Sequence, residues 1–297
     1  MHDLIFRGVA TALVTPFDKQ GEKINYSKLE SLINYQINSG VDALLIGGTT
    51  GESATLTFDE KKELVKFAVK AVNKRVPIIA GAGTNCTAES VSECQVMEEC
   101  GADALLLITP YYNKCSPKGL YLHYKSCAES CGLPFVLYNV PSRTGYNIHP
   151  VEYEQLLKIK NVKAVKEASG NIEQAMQIKS LYEENISVYC GCDQHINAML
   201  AAGADGAISV LSNLYPAYVH EMCARFFSGD TESSFSLQKD SYELIRLLFS
   251  EVNPIPVKTA MNLLGLDVGE FRLPLCEASK NTVEALKNEL QKFKSKI

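Results

Sequence analysis

Three segments of the chain repeat one pattern: Ser39-Gly40-Val41-Asp42-Ala43-Leu44-Leu45-Ile46, Cys100-Gly101-Ala102-Asp103-Ala104-Leu105-Leu106-Leu107-Ile108 and Ala202-Gly203-Ala204-Asp205-Gly206-Ala207-Ile208-Ser209-Val210. In each, a glycine suited to ending a helix stands just before a short apolar run of strand length, so each segment is a helix-to-strand joint. Gly40 and Gly101 are 61 residues apart and Gly101 and Gly203 are 102 apart. Those intervals fit two and then four strand-plus-helix units of roughly 25 to 30 residues each.

Filling the gaps gives strand-like runs at 9–14, 42–46, 76–80, 103–108, 134–139, 162–166, 186–190 and 206–210. Helical patterns lie between them, the clearest being Leu64, Phe67, Ala68, Ala71 and Val72 on one face. Ser27 with Glu30 and Thr57 with Glu60 have the spacing of capping boxes. Eight alternating units predict an α/β fold, a closed parallel (β/α)8 TIM barrel rather than an open doubly wound sheet. After about Tyr218 the alternation stops, and only helical patterns follow, broken at Asn253-Pro254-Ile255-Pro256 and Arg272-Leu273-Pro274. The expected organisation is a catalytic barrel over 1–225 and a small C-terminal helical extension over 226–297.

Composition excludes several classes of function. With 297 residues, 46% hydrophobic and 21% charged, the chain buries a large core and is not a disordered or mini-protein sequence. A net charge of −5 with interspersed signs leaves no basic stripe for nucleic acid. No stretch of about 18 apolar residues and no basic-then-apolar leader occurs, which predicts a cytoplasmic protein without a membrane partner. Eight of the ten cysteines lie between Cys86 and Cys192 without a disulfide-framework pattern, so reduced, mostly buried thiols are expected.

In such a barrel the chemistry sits at the C-terminal ends of the strands. The sixth run reads Val162-Lys163-Ala164-Val165-Lys166-Glu167, and a period of two puts Val162, Ala164 and Lys166 on one face. A lysine at the top of an apolar shaft is disfavoured in its charged form, which makes it an amine nucleophile able to form a Schiff base with a carbonyl. A strand-end lysine in isolation more often snorkels to water. The fifth run, Pro134-Phe135-Val136-Leu137-Tyr138-Asn139, places Tyr138 beside Lys166, either as a proton shuttle or as a core tyrosine bonded to a carbonyl. Gly47-Gly48-Thr49-Thr50-Gly51-Glu52-Ser53 follows the second strand; it is neither a Walker loop nor a dinucleotide fingerprint, but its N–H groups and hydroxyls suit a small carboxylate.

Thr109-Pro110-Tyr111-Tyr112-Asn113 and Ser142-Arg143-Thr144-Gly145 close the fourth and fifth strands, and Arg143 has the planar fork that grips a carboxylate. Cys190-Gly191-Cys192-Asp193-Gln194-His195 lacks paired Cys-x-x-Cys spacing, so no metal site is expected. The loops after the seventh and eighth strands lack a glycine-rich phosphate grip, which points to an unphosphorylated carboxylate substrate. Lys258 is the competing Schiff-base candidate, but its place just after Pro256 in a helix beyond the barrel favours a structural role.

Several motifs together resemble the pyruvate-dependent class I aldolases of the dihydrodipicolinate synthase and N-acetylneuraminate lyase family. They are Gly48-Thr49-Thr50-Gly51-Glu52, Pro110-Tyr111-Tyr112-Asn113, Tyr138-Asn139-Val140-Pro141-Ser142-Arg143-Thr144-Gly145, Lys166-Glu167-Ala168-Ser169-Gly170-Asn171 and Asn253-Pro254-Ile255-Pro256-Val257-Lys258. The resemblance spans essentially the whole chain, from Gly8 to Leu275. The paired threonines and Arg143 resemble the branch that condenses pyruvate with aspartate semialdehyde on the way to diaminopimelate and lysine. Sialic acid lyases typically show a serine for the first threonine and lack that arginine; a sialic acid or 2-keto-3-deoxy sugar acid aldolase is the alternative, and a pyruvate-binding sensor without activity a more distant one.

The resemblance implies that Lys166 forms the Schiff base with pyruvate while Tyr138, Thr49 and Tyr112 relay protons, Tyr112 coming from the neighbouring subunit of a tight dimer. It implies that Thr50 holds the pyruvate carboxylate, Arg143 binds that of aspartate semialdehyde, and Gly191 and the Ile208 carbonyl line the pocket. It further implies no metal or organic cofactor and a homotetramer built as a dimer of tight dimers. Lysine-inhibited members resemble this chain at Ser53, Ala54, Asn85, Glu89 and Tyr111 but commonly carry histidines at the positions of Phe58 and Lys61. Lys61 would set a positive charge beside a cationic inhibitor, so weak or absent lysine feedback is expected. Cys192 stands where relatives often have an acidic residue, a change the sequence does not explain.

Overall fold

The computed structural model describes residues 4–182 and 185–295. Residues 1–3, part of the segment inspected for a leader, lie outside the described residues. Eight strands form: β1 Gly8–Ala12, β2 Ala43–Ile46, β3 Ile78–Ala82, β4 Ala104–Ile108, β5 Phe135–Asn139, β6 Val162–Glu167, β7 Ser187–Cys190 and β8 Gly206–Ser209. Each pairs in parallel with its neighbour in sequence, and β8 pairs with β1, so the sheet closes into a barrel. All eight expected strands are present, with ends within two residues of the expected ones.

The strands are apolar on both faces because both are buried. Leu44, Ile46, Leu105, Leu107, Phe135 and Leu137 face the helices. Ala10, Ala12, Leu45, Leu106, Val136, Ala164 and Ile208 face the shaft. From the side where β1 begins, the Phe6 ring stacks on Tyr189 with centroids 4.1 Å apart, and the Tyr189 hydroxyl donates to the Phe6 carbonyl at 2.8 Å. The shaft is therefore a packed core, closed by Phe6 and Tyr189 at the end where β1 begins.

Two local expectations are corrected. Phe135 pairs with Val162 but Val136 pairs with Ala164, so β6 carries an extra residue at a bulge. That bulge breaks the strict alternation: Val162 faces the helices while Ala164 faces the shaft, and Lys166 keeps the inward direction through Ala164 alone. The helix Tyr26–Asn38 is capped by Asn25, whose side chain accepts from Lys28 N at 3.0 Å, and not by a Ser27–Glu30 box. The helix begins before Ser27, which places that serine inside its first turn. The Thr57–Glu60 box is formed as expected, with bonds of 3.2 and 2.9 Å, at the start of the helix Phe58–Val72.

Beyond β8 come the helices Pro216–Ser228, Thr231–Leu248, Ile255–Leu263 and Lys280–Lys294. Their buried residues Leu244, Leu248, Val257, Met261, Leu286 and Phe293 join the same apolar cluster as the outer face of the barrel. Tyr215 and Tyr218 pack on Phe293 at 4.9 and 5.0 Å. Barrel and extension therefore share one core. All ten cysteines are unpaired, six of them buried. Among the described residues, no helix is long and apolar enough to cross a membrane.

Candidate active site

Lys166 is the penultimate residue of β6 and lies in register with Tyr138 of β5. Both are buried, and the Lys166 Nζ stands 4.5 Å from the centre of the Tyr138 ring. Ala164 and Val136, one inward position earlier on each strand, make the shaft beneath them apolar. Gly191 follows β7 and comes close to the lysine stem: a Cβ there would lie 3.1 Å from Lys166 Cγ and 2.7 Å from Ala168 Cβ. Only glycine leaves that side of the lysine free. Ile208, on β8, is buried in the same shaft.

The next residue on β6, Glu167, points the opposite way and is buried as a carboxylate anchor. It accepts from Asn139 Nδ2 at 2.9 Å, Gln174 Nε2 at 2.9 Å and Ser169 N at 2.7 Å, while its carbonyl accepts Gly191 N at 2.8 Å. These bonds tie the ends of β5, β6 and β7 together around Lys166. Sequence inspection missed this role, although strand parity next to Lys166 already assigns Glu167 to the outer face.

Thr49 and Thr50 lie in a tight turn after β2. Gly51 N donates to Gly48 O at 3.0 Å, Glu52 N to Thr49 O at 3.1 Å, and Thr15 Oγ1 to Gly51 O at 2.6 Å. A Cβ on Gly81 would collide with the Gly47 carbonyl, so the glycine lets β3 pass against the turn. Glu52 ends the turn in the left-handed region at φ 56° and buries its carboxylate against Lys258, Oε1 to Nζ 2.7 Å. Lys258 also donates to Glu270 O at 2.6 Å and lies 4.6 Å from the Phe17 ring centre. Burial pushes its pKa down and Glu52 pulls it back up. This amine is thus committed to an ion pair outside the shaft, the structural role favoured for it.

Thr50 is buried, and its Oγ1 accepts Asn253 Nδ2 at 2.9 Å. Arg143, exposed on the short helix Pro141–Thr144, donates from Nη2 to the Asn253 carbonyl at 3.3 Å. Tyr112 stands apart from this cluster, 92% exposed with φ 67°. Cys192 lies near Lys166; burial, seconded by Asp193, pushes its thiol up to about 11, while the Lys166 charge pulls the other way. Asp193 accepts Val210 N and Leu211 N at 2.9 and 2.8 Å, and burial raises its carboxyl above the ordinary value. Among the described residues, no group of three or more His, Cys, Asp and Glu side chains could hold a metal ion.

A cavity of about 50 Å³ lies beside the turn, lined by Thr49, Ser53 and Tyr138 together with Lys61 and Glu93. A larger outer groove of about 580 Å³ is lined by Phe58, Lys61, Glu89 and Glu93. The Lys61–Glu93 ion pair, 2.7 Å long, borders both spaces, and the second Glu93 oxygen accepts Gly83 N at 2.8 Å. Asn85 offers its carbonyl to Asn113 Nδ2 at 3.0 Å, and Ala54 and Tyr111 are exposed. Glu93 escaped sequence inspection because its partner is 32 residues away.

The fold and mouth define a class: (β/α)8 barrels that carry a buried lysine beside a tyrosine at the catalytic end. The model of the dihydrodipicolinate synthetase family matches residues 5–293. The chain is 46% identical over 289 residues to the 4-hydroxy-tetrahydrodipicolinate synthase of Clostridium novyi (strain NT), covering 97% of each. The solved structure of dihydrodipicolinate synthase from Thermotoga maritima superposes with a TM-score of 0.95 at 42% identity, covering 98% of this chain and 99% of the other. A monomeric dihydrodipicolinate synthase variant superposes equally well, with a TM-score of 0.95 at 42% identity over 98% and 97%. The chain belongs to the dihydrodipicolinate synthetase family.

Proposed function

We propose that the chain condenses pyruvate with L-aspartate 4-semialdehyde to give 4-hydroxy-tetrahydrodipicolinate and water, a step of lysine and diaminopimelate biosynthesis. The observation that carries this reading is the buried, in-register Lys166–Tyr138 pair at the mouth of an apolar shaft in a chain of this family. The Lys166 amine attacks the ketone carbon of pyruvate and water leaves, forming an imine. Loss of a methyl proton gives an enamine, whose terminal carbon attacks the aldehyde. The amine of the second substrate then adds to the imine carbon and expels Lys166. The imine serves as the electron sink for carbon–carbon bond formation.

Tyr138, with Thr49 and Tyr112 of the partner subunit, carries protons between these steps. Thr50 holds the pyruvate carboxylate, Arg143 the carboxylate of the semialdehyde, and Gly191 and the Ile208 carbonyl complete the wall. The exposure of Tyr112 suits a residue supplied to a second subunit, and we assign a homotetramer built from tight dimers. Ten unpaired thiols suit the reducing cytoplasm. The sugar-acid aldolase alternative shares the Schiff base but finds no support in the name of the Clostridium novyi relative.

The test is condensation of the two substrates, with the product coupled to its downstream reductase and NADPH oxidation followed. Wild type should turn over, Lys166→Ala should not, and Tyr138→Phe should lose about 10²- to 10⁴-fold. No turnover in wild type beside a working coupling enzyme would overturn the proposal.

A further inference from the structure

Asn253 belongs to the segment that opens the extension helix Ile255–Leu263, yet it reaches back 203 residues to the turn after β2. Its side-chain amide donates to Thr50 Oγ1 at 2.9 Å, and its carbonyl accepts Arg143 Nη2 at 3.3 Å. It is 8% exposed, and its Oδ1 is buried without a donor among the described residues. An amide kept only to hold the fold together is normally paired at both ends. The Asn253 side-chain amide is instead paired only through its Nδ2 donor, toward Thr50.

A hydroxyl has one proton and two acceptor sites. When an N–H occupies one acceptor site of Thr50, the hydroxyl proton is left to point elsewhere, and among the described residues it meets no protein acceptor. That polarity is the one a substrate carboxylate requires, since an ionised carboxylate only accepts. An aspartate at position 253 would reverse it by taking the hydroxyl proton for itself.

We propose that Asn253 is a positioning residue that commits the Thr50 hydroxyl to donate to the substrate carboxylate. The inference rests on the assignment of Thr50 as the pyruvate-carboxylate group. The same residue holds Arg143 by its backbone, so both carboxylate-binding groups are referenced to one point on the extension.

The experiment uses the full-length protein and two readouts. One is the pyruvate concentration that half-saturates borohydride trapping on Lys166; the other is KM and kcat of the condensation. Asn253→Asp is nearly isosteric and should raise the half-saturating pyruvate and its KM by about tenfold or more, with kcat at saturating pyruvate within about threefold. The defect should shrink as the pH falls and the introduced carboxyl becomes protonated and able to donate. Thr50→Val should show the same KM defect, and the double variant should add nothing to it.

An unchanged half-saturation in Asn253→Asp would overturn the inference, as would a fall in kcat with no KM change or additive defects in the double variant. If Asn253→Asp melts many degrees below wild type, Asn253→Ala, which removes the donor without reversing it, replaces it and should raise the half-saturation about threefold or more. Wild type that traps pyruvate on Lys166 but does not turn over would sink the condensation reading while leaving the half-saturation comparison in force. Absence of trapping would sink both.

Discussion

Lys61 carries its own ammonium into the space between Thr49 and Tyr138 on one side and the outer groove on the other, where it pairs with Glu93 at 2.7 Å. A free lysine entering that groove would meet a like charge and a carboxylate already neutralised, both unfavourable to binding. Free L-lysine is therefore expected to leave the condensation rate unchanged up to millimolar concentrations. Half-inhibition at micromolar lysine, read in the coupled assay, would contradict this. The Lys166–Tyr138 pair was legible at the same scale because it depends on strand parity and adjacency: the two residues sit directly opposite each other on neighbouring strands. The contacts of Glu93 with Lys61 and of Asn253 with Thr50 were not legible, since each joins residues more than 30 positions apart. Val162 was misassigned because one bulge residue inverts parity, and a bulge has no signature in an apolar strand of this length.

At the scale of elements, the turn Gly48–Ser53 is held from three sides. Thr15 bonds its backbone, Asn253 its threonine, and Lys258 its terminal glutamate. The Lys258–Glu52 pair is fully buried, so removing one partner strands a charge in the core. Lys258→Met should destabilise the protein by about 3–5 kcal/mol, a drop in melting temperature on the order of 10 °C. A loss below about 1 kcal/mol would show the pair to be dispensable, whereas neutralising both partners together should recover much of the loss. The segment Asn253-Pro254-Ile255-Pro256-Val257-Lys258 stood out in the sequence, but its reason lies in space: its two ends, Asn253 and Lys258, grip the same turn of the barrel.

For the whole molecule, the three joints of helix-ending glycine, aspartate and apolar run set the spacing of the strand-plus-helix units, and the apolar runs between them completed the count of eight strands. The shared core of barrel and extension was not legible, because helical amphipathicity shows that a face is buried but not against what. Assembly adds a test of the shared-site proposal. If Tyr112 serves the partner subunit's site, mixing Lys166→Ala with Tyr112→Phe subunits under exchange should restore about a quarter of wild-type activity. Half the dimers are then mixed, and each has one complete site. No gain beyond the sum of the two variants would place Tyr112 in its own subunit's site or outside the mechanism.

The most direct test of the central claim is borohydride reduction in the presence of pyruvate, followed by intact-mass measurement and peptide mapping. The account predicts one reduced pyruvate adduct per chain, on Lys166, absent from Lys166→Ala. An adduct on Lys258, or none on any lysine, would contradict it.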